Sequence, residues 1–188
     1  DWHNLRSLVD YVRAVRSLQE TPLATSQPSP SQRILLRREP LTVSEQEAQK
    51  VFKLTDDRRP LEYVENTFED QGEVVVDQAT GLMWQKSGSD TALTYQQAQA
   101  YIEDLNRQKF AGYADWRLPT VDELLSLLES QKNTAGLYIN PMFDQRQTWC
   151  WSSDQRSASS AWNVHFINGN VYWDDLSNDN YGRCVRSL

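Results

Sequence analysis

The period of hydrophobic and polar positions changes several times along the 188-residue chain, and each change marks an element. Residues 2–19 have a helical period. Trp2, Leu5, Leu8, Val9, Val12 and Leu18 fall near one stripe, while Arg6, Arg13 and Arg16 lie largely off it. This predicts an amphipathic helix over residues 1–20. A lone helix cannot bury such a stripe, so it needs the rest of the domain, a second copy of the chain, or an upstream effector domain. Residues 21–32 (TPLATSQPSPSQ) have no period and are rich in Pro, Ser and Thr, which predicts a linker. Ser44 to Leu54 reads as a short helix, with Ser44 and Glu47 spaced as a capping box. Arg58 to Asp70 is expected to be irregular or extended, placing Tyr63, Val64 and Phe68 against the main body.

The main body begins near Gly72. Val74–Val76 predicts a strand, residues 78–81 a turn and Leu82–Trp84 a return strand. A helix is expected from Tyr95 to Gln108, with Thr94 and Gln97 as its capping box and Ala98, Tyr101, Ile102 and Leu105 as its stripe. A second is expected from Val121 to Glu129, capped by Thr120 and Glu123, with Leu124, Leu125, Leu127 and Leu128 facing the core. Strands follow near 149–153, 161–166, 170–173 and 182–187, and Asn168-Gly169 signals a tight turn because both residues tolerate positive φ. Helices followed by a run of strands imply an α+β fold. Residues 33–188 form one domain in this reading, with 33–71 as an N-terminal extension and 72–188 as the core.

The last forty residues carry the most distinctive pattern. Trp162, Val164 and Phe166 share one face of a strand, and Asn163 and His165 the other. Of the chain's 10 Asn, 5 (163, 168, 170, 178, 180) fall in the last 26 residues. Rings and short polar groups on a strand scaffold are the composition of an adaptable binding surface. Trp151, Trp162, Val164, Phe166, Val171, Cys184 and Val185 are expected on the core side. Asp154, Arg156 and Ser157 read equally well as the rim of a site or as a hydrophilic turn. Asp115-Trp116-Arg117, Trp84, Trp149 and Trp151 read as structural.

Composition narrows the function classes. Hydrophobic residues make up 39% and charged residues 24%, which suits a globular chain. The net charge of −7 argues against general nucleic-acid binding, which needs a basic surface. No apolar run has the length of a membrane span and there is no signal-peptide pattern, so a cytoplasmic location is expected. The chain starts at Asp1 without an initiator Met, which reads as a piece processed or excised from something longer. Cys150 and Cys184 are expected to be buried thiols rather than a disulfide, and neither has a His nearby in sequence to activate it. There is no glycine-rich phosphate loop, Ser/His/Asp set or metal-ligand spacing. No catalytic residue, metal or cofactor is therefore predicted.

Several phrases in combination carry a family resemblance: GLMWQ (81–85), LTYQQAQAYIEDLN (93–106), GYADWRLPTVDELLSLL (112–128), WSS (151–153), AWNVHFINGNV (161–171) and RCVR (183–186). Together they resemble the bacterial Lcl C-terminal-type domain of the C-type-lectin-like superfamily. The resemblance implies a C-type-lectin-like fold, with two helices beside a small twisted antiparallel sheet. It also implies a non-enzymatic recognition module of a larger bacterial protein, directed at a protein or other macromolecule. Some relatives are variable proteins of diversity-generating retroelements, in which adenine-directed mutation scatters Asn codons. On that resemblance the outward, diversified ligand-binding positions are Asn163, His165, Asn168, Asn170, Tyr172, Asp174, Asp175, Ser177, Asn178 and Asn180. Trp173-Asp174-Asp175 is similar to the calcium-binding tripeptide of sugar-binding lectins. Its partner loop is absent, so no calcium site is expected. Two alternatives are a fixed-specificity adhesin or glycan-binding domain, and an enzyme of the formylglycine-generating type.

Overall fold

A computed structural model describes residues 33–188. The amphipathic helix and linker expected over residues 1–32 lie outside the described residues. The described residues are mixed α+β, with three α-helices and two antiparallel sheets. The helices are α1 (Glu45–Val51), α2 (Tyr95–Arg107) and α3 (Val121–Ser126). A four-stranded sheet has the order β1 (Phe68–Asp70), β2 (Val74–Asp77), β3 (Leu82–Gln85), β7 (Val185–Ser187). A three-stranded sheet joins β4 (Trp149–Ser157), β5 (Ser160–His165) and β6 (Asn170–Asp175). One small sheet was expected. The C-terminal strand instead leaves its sequence neighbours and pairs with β3, Trp84 opposite Val185.

This split explains the Val-Val-Val run of β2. Val75 packs in a core with Trp162, Val164 and Leu124, while Val74 and Val76 pack with Ala98 and Ile102 of α2. Every residue of β2 and β3 is buried. A strand covered on both faces needs apolar residues at consecutive positions rather than at alternate ones.

Helix starts agree with the sequence where the cap is local. Thr94 Oγ1 accepts from Gln97 N (3.3 Å) while Gln97 Oε1 accepts from Thr94 N (2.9 Å). Thr120 and Glu123 do the same for α3 (3.3 and 2.9 Å). The box expected at α1 does not form: Ser44 Oγ donates to the Glu47 carboxylate (2.6 Å) rather than accepting from backbone. Helix ends agree less well. α1 stops at Val51 because Lys53 takes a left-handed φ of 53°, and α3 stops at Ser126 because Leu128 turns to bridge Ile139. In the loop after β5 only Gly169 has positive φ (70°), and a Cβ there would meet the Tyr138 ring at 2.9 Å.

The extension belongs to the core. Val43, Ala48, Phe52 and Leu54 are buried in the same cluster as Trp162, whose Nε1 donates to Val43 O (3.0 Å) and whose ring meets Phe52 edge-on. The DWR and RCVR phrases are structural, as the sequence suggests. Arg117 is paired with Glu123 (2.7 and 2.5 Å), Trp116 is buried with Nε1 on Phe110 O (3.0 Å), and Asp115 binds Arg186 (2.7 Å). Arg183 is fully buried and donates to the carbonyls of Gln85 (3.0 Å) and Asp144 (2.9 Å), so backbone oxygens rather than a carboxylate receive its charge.

Candidate functional site

Asn163, His165, Asn170, Tyr172 and Asp174 share one face of the β4–β5–β6 sheet, with Asn178 and Asn180 bonded to Asp174 beside it, whereas Asp175 pairs with Ser160 on the opposite face; those that share the face do not all look outward. Register places Trp149 opposite His165 and Trp151 opposite Asn163; on the other side of β5, Asn163 faces Tyr172 and His165 faces Asn170. β5 is the central strand, and all six of its residues are buried. Asn163, His165 and Asn180 are therefore inside, with 0%, 6% and 1% exposure. This corrects their reading as outward positions. Period two tells which side of a strand a residue takes, not whether that side is open.

Asp174 organises the covered part. Its Oδ2 accepts from Asn163 Nδ2 (2.8 Å) and Asn180 Nδ2 (3.0 Å), and its Oδ1 from Asn178 Nδ2 (3.1 Å). A carboxylate only accepts, so it sets the orientation of each amide around it. The Oδ1 atoms of Asn163 and Asn180 are left buried without a protein partner. Asn180 is also held through its backbone, donating to Leu93 O (3.0 Å) and accepting from Leu93 N (2.8 Å).

His165 lies under Trp149, stacked at 4.0 Å between ring centroids, with Tyr172 tilted beside it at 5.6 Å. Burial pushes its imidazole down to about 4, against the smaller opposing pull of Asp174. It is thus neutral at physiological pH. Trp149, read as core, is 39% exposed and forms the lid of this stack. Its pairing with His165 is a long-range fact that residues 149–153 alone do not reveal.

Part of the surface remains open. Tyr172 is 47% exposed, Asn168, Asp175, Ser177 and Asn178 are exposed, and Asn170 and Asp174 are half-buried. The Asn168 carbonyl accepts from Arg59 Nη2 (2.7 Å). Two arginines border it: Arg58, which the sequence reading left out of the site, and Arg156, which it named as a possible rim residue. Arg58 sits over the Tyr172 ring (5.5 Å), Arg156 over Trp173 (3.8 Å), and Glu45 pairs with both. The Arg58 guanidinium holds the Glu45 carboxyl below its ordinary range. Of the three possible rim residues, Ser157 bonds Ser160 (2.8 Å) and Arg156 does reach the edge. Asp154 does not. It is fully buried, taking both Arg37 Nη atoms (2.8 Å each) and the backbone N–H groups of Leu41 and Val121 (2.7 Å each).

Among the described residues no group of three or more His, Cys, Asp or Glu is placed to hold a metal, and no helix is long and apolar enough to cross a membrane. Cys150 and Cys184 are free and buried; burial raises both thiols, Cys150 to about 11.

The α+β architecture with a partly open aromatic and amide-rich sheet face defines a class of small domain with a surface suited to contact. The model of one family, the Lcl C-terminal domain, matches residues 73–186, and the chain belongs to that family. The match leaves the extension over residues 33–72 outside it. No curated protein matches the chain.

Proposed function

We propose that the chain is a non-enzymatic recognition module of C-type-lectin-like fold, and that it binds a protein or other macromolecule through the open part of the β4–β6 face. The observation that carries this reading is the exposure of Trp149 and Tyr172 on one face of the β4–β6 sheet, beside the exposed polar residues Ser177 and Asn178 of the turn that follows β6, while the central strand is buried along its length. Rigid rings with few rotatable bonds lose little entropy on contact, and short polar groups adapt to the partner. Membership of the Lcl C-terminal domain family and the buried, unactivated thiols support the same reading over an enzyme of the formylglycine-generating type.

Diversification is part of this proposal in a narrower form than the sequence suggested. Exposed positions tolerate change at about half a kcal/mol, whereas breaking a buried hydrogen bond costs about 1–3 kcal/mol. The freely variable set is therefore Asn168, Tyr172, Asp175, Ser177 and Asn178, with Asn163, His165 and Asn180 as its platform. A template repeat near the gene that differs only at adenines, with its mismatches in the codons of the open set, is the expected genomic signature.

The binding claim is tested by selecting partners from a displayed protein library and a glycan array. Tyr172→Ala, Ser177→Ala and Asn178→Ala combined should abolish the selected binding and shift Tm by only about 2–4 °C. Binding that survives all three substitutions sinks the assignment of this face. A hit confined to glycans favours the fixed-specificity alternative.

A further inference from the structure

Four of the ten exposed large hydrophobic side chains among the described residues line a single groove: Ile34 (41%), Leu35 (85%), Val51 (40%) and Leu61 (61%). The groove has a volume of about 790 Å³ and runs between the start of the extension, the end of α1, residues 60–65 and α3, with Leu125 at its base. Scattered single hydrophobics are ordinary on a surface, but a contiguous set marks a contact site. We propose that this groove docks the chain's own residues 2–19 in cis, independently of what the sheet face binds.

Three features point to that occupant. Residues 2–19 carry an apolar stripe at helical spacing that needs a complementary surface, and the groove offers one of aliphatic character. The chain enters the described structure at the groove itself: Ile34 and Leu35 line it, and Ile34 N is anchored on Ala79 O (2.8 Å). Only the thirteen residues 20–32 lie between, a tether that reaches at most about 47 Å, against the roughly 27 Å length of an 18-residue helix. So short a tether gives the segment an effective concentration on the order of millimolar, which favours its own groove over that of a second copy. The charge balance also favours it: the groove is lined by Glu62, Glu65 and Asp122 against Arg37 and Lys53, and residues 2–19 carry Arg6, Arg13 and Arg16 against Asp10.

Hydrogen exchange on the full chain tests this. Amides of residues 5–18 should exchange at least about tenfold more slowly than in the isolated 1–20 peptide, and should keep that protection across about a hundredfold dilution. Leu35→Glu with Leu61→Glu should return the segment to the peptide's rate while β2 and β5 stay protected. Leu5→Glu with Leu8→Glu, which leaves the groove untouched, should do the same. Free-peptide rates in the unaltered chain, protection that survives either pair of substitutions, or protection lost on dilution would each overturn the proposal, the last by making the occupant a second copy.

Discussion

His165 is a neutral imidazole sealed beneath an indole, and its ionisation links acid to stability. Its folded value of about 4 lies below the ordinary value near 6.5. Between these the unfolded chain binds a proton that the folded chain refuses, so stability is complete above pH 6.5 and falls as the pH drops toward 4. The shift corresponds to a loss on the order of 3 kcal/mol. Urea melts at pH 7 and pH 4.5 should show that loss in the native protein and a flatter response in His165→Gln; equal slopes would mean that His165 is not the titrating group. Asp174 illustrates the same dependence on surroundings. In the sequence it is one more acid beside Asp175, yet the fold makes it the acceptor for three amides and leaves Asp175 exposed.

At the scale of elements, a buried carboxylate adds a polar tie to the apolar contacts that join the extension to the rest. Asp154 on β4 binds Arg37, the backbone N–H of Leu41, and the first turn of α3 through Val121 N. Removing one member of a buried, hydrogen-bonded ion pair typically costs about 3–5 kcal/mol. Asp154→Ala should fall in that range by chemical denaturation, and a double-mutant cycle with Arg37→Ala should report strong coupling. A cost under about 1 kcal/mol would show that the extension is held by its apolar contacts alone. The starts of α2 and α3 were legible in the sequence because a capping box spans four residues and needs nothing else. The early end of α3 was not, because Leu128 leaves the helix to meet Ile139, eleven residues on.

For the molecule as a whole, both cysteines and the cation of Arg183 are enclosed where the C-terminal strands meet the hairpin. Burial keeps the thiols protonated. An alkylating reagent should leave Cys150 and Cys184 unmodified in the native protein at neutral pH and label both in denaturant, read by intact mass. Rapid native labelling of either would favour the enzyme reading over the proposed one.

The sequence by itself determined the α+β class, the hairpin, the starts of α2 and α3, the family, and the stretch of chain that forms the candidate face. Each depends on residues within a few positions of one another, where period, caps and turn chemistry act locally. Only the tertiary structure decided which of those residues are open. The strands divide between two sheets, β5 becomes a central strand covered on both sides, and Trp149 closes over His165. Burial is set by what packs from elsewhere in the chain. Alternation therefore named the two sides of β5 but could not say that Asn163 and His165 are buried while Tyr172 and Asn178 are exposed.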